Sequence, residues 1–236
     1  MGMGMKVAVI PARGGSKRIP RKNIKQFCGK PMIHYPIAAA LECGLFDRVI
    51  VTTDCEDISS LAQAAGAEVP FVRPPELCTD TAIVADVMDH AVRWLNDNGP
   101  TVEYVCCIVA TAAFLQPDYL VKGLDLARTH DVDTVVSVLP FPSPAFRAFK
   151  QDDDGRLRFI WPEYEYVQST DLPDTFHDAA QFYWMNATRF LASKSILGQD
   201  VLPIVLPPYL ACDIDTPDDW TLAELMYETC RVKGLL

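Results

Sequence analysis

Residues 7–30 read VAVIPARGGSKRIPRKNIKQFCGK. The apolar run Val7-Ala8-Val9-Ile10 has the length of one buried strand. It passes directly into Pro11-Ala12-Arg13-Gly14-Gly15-Ser16-Lys17-Arg18, and cations recur at Arg21, Lys22, Lys25 and Lys30. Glycines let a backbone turn sharply and approach a ligand closely. Successive N–H groups in such a turn form a concavity for an anion. Arg and Lys add positive charge, and the Arg fork matches a phosphate. The stretch reads as a polyphosphate cradle at the end of the first strand; the other reading is a solvated basic loop. Neither G-x-x-x-x-G-K-[ST] nor G-x-G-x-x-G occurs in it, so it is neither a P-loop nor a dinucleotide fingerprint.

The surrounding composition sharpens that contrast. The chain has 236 residues, half of them apolar, and a net charge of −10. An acidic chain lacks the broad basic face that nucleic acid requires, so the local cluster of cations suits a small anion. No apolar run is long enough to span a membrane. Met1-Gly2-Met3-Gly4 has no apolar core of a signal peptide and reads as an added segment before Met5. The eight cysteines form no C-x-x-C pair, and most sit in apolar runs. They are expected to be reduced thiols of a cytoplasmic protein, without zinc. The four histidines are far apart, and no nucleophile motif accompanies them.

Outward from the opening strand, helix and strand patterns alternate. Helices are expected at 31–43, 58–65, 81–98 and 119–129, and strands at 49–53, 69–72, 104–109 and 134–139. This rhythm predicts an α/β fold with a mostly parallel, Rossmann-like sheet covered by helices on both faces. Ligands of such sheets bind beyond the carboxyl ends of the strands, where the basic loop lies. After Pro140 the rhythm breaks. Residues 146–150 and 157–161 flank an acidic turn, Asp152-Asp153-Asp154-Gly155, that reads as a hairpin tip and lacks the ligand spacing of a calcium loop. Residues 141–186 are therefore expected to leave the sheet domain, which comprises 1–140 and 187–236. Aromatic-rich excursions of this kind suit subunit interfaces. A helix at 190–197, strands at 201–206 and 209–213, and a helix from Thr216 to about Arg231 complete the reading, with Thr216 as N-cap and Pro217 in the first turn.

Asp213-Ile214-Asp215 is the second candidate site. In extended chain, residues two apart share a face, so both carboxylates would stand together. Like charges raise one another's pKa unless a cation holds them. Mg²⁺ takes one or two carboxylates together with substrate phosphates. Alternatively, Asp215 helps cap the following helix. Basic loop plus paired acids suggests a nucleoside triphosphate with Mg²⁺, attacked at the α-phosphorus with pyrophosphate leaving.

The run R-G-G-S-K-R-I-P-x-K-N followed by G-K-P resembles the nucleotide-binding signature of the CMP-sugar synthetases, and D-I-D-T-P-x-D-W resembles their metal-binding motif. The resemblance spans essentially the whole chain. It implies a fold of the nucleotide-diphospho-sugar transferase type, CTP and an acidic nine-carbon sugar as partners, and Mg²⁺ as cofactor. It implies that Arg13, Gly14, Gly15, Ser16, Lys17 and Lys22 receive the triphosphate. Asn23, Arg73 and Ala82 would form the cytosine pocket, and Asp213 and Asp215 would hold the metal. Arg13, Lys17, Lys22, Asp213 and Asp215 would then carry catalysis. Taken alone, Asn23 is equally a turn residue and Arg73 a surface cation. Family members dimerise through an insertion at 141–186 that reaches the partner's active site, which implies a homodimer.

The sialic acid branch of that family has Q-P-T-S-P-L-R where this chain has Ala110-Thr111-Ala112-Ala113-Phe114-Leu115. Its sugar-contacting Gln is Ala110 here, and a ribose-contacting Ser is Val84. Ala110–Leu115, Phe146–Lys150 and Asp178–Trp184 are instead similar to the branch that activates pseudaminic acid, a 5,7-diamino nonulosonic acid. Thr111, Arg147, Gln181, Phe182 and Tyr183 are the sugar-site candidates. Gln181–Trp184 offers an amide and aromatic faces to an N-acylated sugar, or else is ordinary core; Arg147 pairs the sugar carboxylate or is a surface cation. Sialic, legionaminic and keto-deoxy-octulosonic acids are the alternative sugars. A non-catalytic nucleotide-binding module and a uridylyl or guanylyl transferase are the other rivals. No general base is evident.

Overall fold

A computed structural model describes residues 4–236; the first three residues of the Met1–Gly4 stretch lie outside the described residues. The opening run forms β1 (Met5–Pro11). Two short strands, β2 (Gln26–Phe27) and β3 (Lys30–Pro31), make a small ribbon after the basic loop. Then follow α1 (His34–Glu42), β4 (Arg48–Thr52), α2 (Glu56–Ala64), α3 (Val84–Asp97), β5 (Val102–Ile108), α4 (Pro117–His130) and β6 (Thr134–Pro140). The hairpin β7 (Phe149–Gln151) and β8 (Leu157–Phe159) leads to β9 (Phe176–Asn186), α5 (Ala187–Ser193), β10 (Val201–Val205) and α6 (Pro217–Val232).

Six strands form the central sheet in the order β10-β6-β9-β5-β1-β4. β1 pairs in parallel with β4 and β5, and β6 with β10, whereas β9 runs antiparallel between β5 and β6. The alternation of β1 divides the core into two layers. Ala8 and Ile10 pack with α1, α2 and α4 on one face. Val7 and Val9 pack with α3 and α5 on the other. The expected α/β sheet with helices on both faces is therefore the observed one.

Four expectations change. The excursion ends earlier than residue 186, because residues 176–186 form β9 inside the main sheet. The strand expected at 69–72 is reduced to single bridges, Ile50 with Glu68 and Thr53 with Val72; Pro70 between them has no N–H to donate. The strand expected at 209–213 is replaced by a 3₁₀ turn at Pro208–Leu210 after Pro207. The helix expected at 190–197 starts at Ala187, because the Asn186 side chain accepts the Arg189 N–H at 3.1 Å.

A third cluster fixes the functional edge. Ile19 and Phe27, from the chain after β1, pack with Ile214 and Trp220 at the start of α6. The Phe27 ring meets Trp220 edge-on at 5.4 Å and Tyr227 at 5.4 Å. Segments some 190 residues apart are thereby clamped together by apolar contact.

Candidate active site

Between β1, the basic loop, the segment before α3 and the start of α6 lies a cleft of about 310 Å³. Its cations are Arg13, Lys17, Arg18, Lys22 and Arg73, and its acids are Asp80 and Asp215. A locally positive cleft in a chain of net charge −10 is a focused anion site. Ser16, Asn23 and Ala82 also line it. Gly14 and Gly15 are not among the residues that line it. A Cβ on Gly14 would lie 2.9 Å from Cys55 Cβ, so this position needs glycine for close approach. Its N–H donates to Asp54 Oδ1 at 2.9 Å, which anchors the turn to the end of β4 rather than aiming that N–H at a ligand.

The basic loop and the paired acids do meet. Lys22 Nζ donates to the Ile214 carbonyl at 2.6 Å and lies 3.2 Å from Asp215 Oδ1. Arg18 Nη2 lies 2.9 Å from Asp215 Oδ2. Ile214 is fully buried, which turns its two acidic neighbours away from the core. Asp215 lines the cleft, whereas Asp213 is not among the residues that line it. Surrounding protein and then Asp215 raise the Asp213 pKa above its ordinary value, and Lys22 only partly offsets this. Asp215 does not cap α6. Thr216 does so with Asp219 in a reciprocal capping box, and Asp219 Oδ2 also accepts the Asp215 N–H at 3.1 Å.

Opposite, Asp80 pairs with Arg13 at 2.9 Å and with Lys17. These two, Lys17 first, hold the Asp80 carboxyl below the ordinary range. Asn23 and Arg73 are buried, neither a loose turn residue nor a surface cation. Asn23 Nδ2 donates to the Arg13 carbonyl at 3.0 Å. Arg73 donates through Nε to Thr52 Oγ1 at 3.2 Å and through Nη2 to the Thr52 carbonyl. They form a polar floor at the ends of β1 and β4.

The sugar-site candidates separate. Gln181 and Phe182 are buried in the core, the former donating to the Leu210 carbonyl, so neither offers a wall to a ligand. Thr111 is buried in the turn after β5 and lines neither this cleft nor the cavity next to it. Arg147 lies in the excursion, where it donates to the Val167 carbonyl, and it too is outside both spaces. Tyr183 alone of the five lines the neighbouring cavity, together with Asp178. The sequence reading named Arg18 only within the basic run and Asp178 only within the stretch 178–184, and it gave neither of them, nor Asp54 or Asp80, a role at the site. Asp80 falls in the T-D-T-A stretch after the third expected strand, where an acid facing a basic loop was the available signal.

The fold and cleft define a nucleotidyltransferase-like α/β protein. The solved structure of CMP:2-keto-3-deoxy-manno-octonic acid synthetase complexed with CTP superposes with a TM-score of 0.68 at 16% identity, covering 95% of this chain and 99% of that one. A 4-diphosphocytidyl-2C-methyl-D-erythritol synthase from Anaerococcus prevotii gives 0.65 at 14%, with the same coverage. A family model described as cytidylyltransferase matches residues 7–143. The pseudaminic acid cytidylyltransferase of Campylobacter jejuni is 36% identical over 94% of this chain and 96% of its own length. The CMP-N,N'-diacetyllegionaminic acid synthase of Legionella pneumophila is 30% identical with the same coverage. The chain belongs to the cytidylyltransferase family.

Proposed function

We propose that this protein transfers CMP from CTP to the anomeric hydroxyl of a nonulosonic acid, with pseudaminic acid as the preferred sugar. The observation that carries this reading is the contact of Lys22 with Ile214 and Asp215, which joins the basic loop and Asp215 in one cleft. The preference for pseudaminic acid is supported by the two Campylobacter relatives at 36% and 35% identity over 94% of the chain.

In the reaction, the anomeric oxygen forms a bond to the α-phosphorus, and the bond from that phosphorus to the bridging oxygen breaks. Pyrophosphate leaves with the electron pair, and the hydroxyl proton passes to solvent or to a phosphate oxygen. Arg13, Lys17 and Lys22, which line the cleft, would neutralise the non-bridging and leaving oxygens. Asn23 and Arg73 give the base a rigid polar floor.

Asp213 and Asp215 fit Mg²⁺ by donor chemistry: two hard oxygen ligands two residues apart, with Asp213 crowded by like charge. Among the described residues no group of three acid, His or Cys side chains converges, so substrate phosphates would complete the shell. When bound, the ion would supply further charge neutralisation at the phosphates. The excursion carries exposed Phe149, Leu157 and Tyr166, which supports a homodimer through this face. Use of CTP places the reaction in the cytoplasm in this reading.

Pyrophosphate release with CTP, UTP and GTP across pseudaminic, legionaminic, sialic and keto-deoxy-octulosonic acids tests the assignment. CTP with pseudaminic acid should give the highest kcat/KM; equal turnover of sialic acid would overturn the sugar. Asp213→Ala with Asp215→Ala should lower kcat by about 100-fold or more. Undiminished turnover would remove the metal assignment, and a solution mass of one chain would remove the dimer.

A further inference from the structure

A second cavity, of about 300 Å³, adjoins the nucleotide cleft and shares Pro11 and Val84 with it. Val109, Ala110, Ile196 and Leu197 give it carbon walls. Its polar side chains are the Asp178 carboxylate and the Tyr183 phenol, with the weakly polar Cys107 thiol beside them.

The backbone builds this pair. On β6, Val136 opposes Tyr183 and Val138 opposes Asp178, so a step of two residues on β6 faces a step of five on β9. The surplus is taken up in a bulge with Ala180 at φ 51°. Ser137 fills it, its Oγ donating to the Phe182 carbonyl at 3.2 Å and accepting the Phe182 N–H at 3.1 Å. The Ala180 N–H donates to Asp178 Oδ1 at 2.8 Å, and the Tyr183 hydroxyl donates to Asp178 Oδ2. Two side chains five residues apart are thereby locked together at the cavity.

A phenol whose O–H is engaged in donating to a carboxylate has only lone pairs left for a ligand, and the carboxylate likewise offers only acceptors. Burial, and then Asp178, raise the Tyr183 pKa, which keeps the phenol protonated in that role. The cavity therefore presents acceptors set in hydrocarbon. A ligand that fits carries an N–H or O–H donor next to an apolar group. A chain of several hydroxyls fits badly, since some would be buried against carbon without partners.

We infer that Asp178 and Tyr183 are specificity-determining residues that select, on the acceptor sugar, the second acylamino group, at C7, where sialic acid has a hydroxyl. The amide N–H donates to Asp178, and the acyl methyl lies against Ala110 and Leu197. This rests on the nonulosonic acid reading above and adds to it the residues that choose among such sugars.

The test is steady-state pyrophosphate release by the full chain with a 5,7-diacetamido nonulosonic acid and with sialic acid. Asp178→Asn should raise KM for the diacetamido sugar about tenfold or more, and Tyr183→Phe about three- to tenfold, each with KM for CTP within about twofold of wild type. The preference for the diacetamido sugar over sialic acid should shrink in both. Unchanged sugar KM in both variants would overturn the inference and leave the activity standing. So would a fall in kcat with a displaced pH profile and unchanged sugar KM, because Asp178 would then be handling a proton. A parallel loss of CTP affinity would also overturn it, assigning the pair a structural role. A wild-type protein that releases no pyrophosphate with any acidic sugar would overturn the activity and this inference together.

Discussion

Asp80 sets a carboxylate among the cations of the cleft. Its carboxylate engages Arg13 and Lys17, two of the cations read from sequence as triphosphate contacts. Under the function proposed above, a phosphate would compete with this carboxylate for both cations, so removal of its charge should favour binding. Asp80→Asn is expected to tighten CTP and pyrophosphate about two- to fivefold, as calorimetry would measure. Weaker binding would mean that Asp80 orders the cradle more than it competes. At this scale the sequence was informative where chemistry is local: R-G-G-S-K-R and D-I-D could be recognised as cation and acid clusters. It was uninformative for Gln181 and Phe182. A polar or aromatic side chain carries the same letter whether it faces a ligand or the core, and only the bulge in β9 decides which way each one points.

The start of α6 is the element that holds Asp215 in place. Thr216 Oγ1 accepts the Asp219 N–H at 3.2 Å, and Asp219 Oδ2 accepts the Thr216 N–H at 2.7 Å. Thr216→Ala should cost about 1 kcal/mol in urea unfolding. The Asp219 carboxyl is held below its ordinary value by the Thr216 hydroxyl and backbone N–H groups, and Asp133 is held down by the N–H groups of Gln199 and Asp200. A lowered folded pKa contributes stability that is present above the unfolded Asp value of about 3.9 and fades as pH falls through the lower folded value. Asp219→Asn and Asp133→Asn should therefore each flatten the acid limb of stability against pH. An unaltered limb would show that these bonds are equally available to the unfolded chain. The capping box was legible because T-P-D-D is a local signal. The strand at 69–72 was misjudged because β propensity says nothing of whether Pro70 falls where a ladder needs its N–H.

For the whole molecule, alternation of strand and helix was sufficient to give the sheet and its two helical layers. It did not reveal β9. That strand holds His177, Asp178 and Gln181, turns left-handed at Ala180, and follows a Pro- and aromatic-rich excursion, so no period of two survives in its letters. The apolar clamp of Phe27 with Trp220 was equally hidden, since its partners lie at opposite ends of the chain.

The antiparallel seam strand has a consequence for biosynthesis. β5 and β6 do not pair with each other; each pairs with β9, which emerges from the ribosome after both. Until residue 186 is made, the nascent sheet has an open slot with an unzipped edge on either side. A fragment stopped at residue 143, where the family match ends, should keep that slot open. It is expected to sediment with aggregates on expression, whereas the full chain stays in the supernatant. A monodisperse fragment would mean that β5 and β6 can zip directly without their partner.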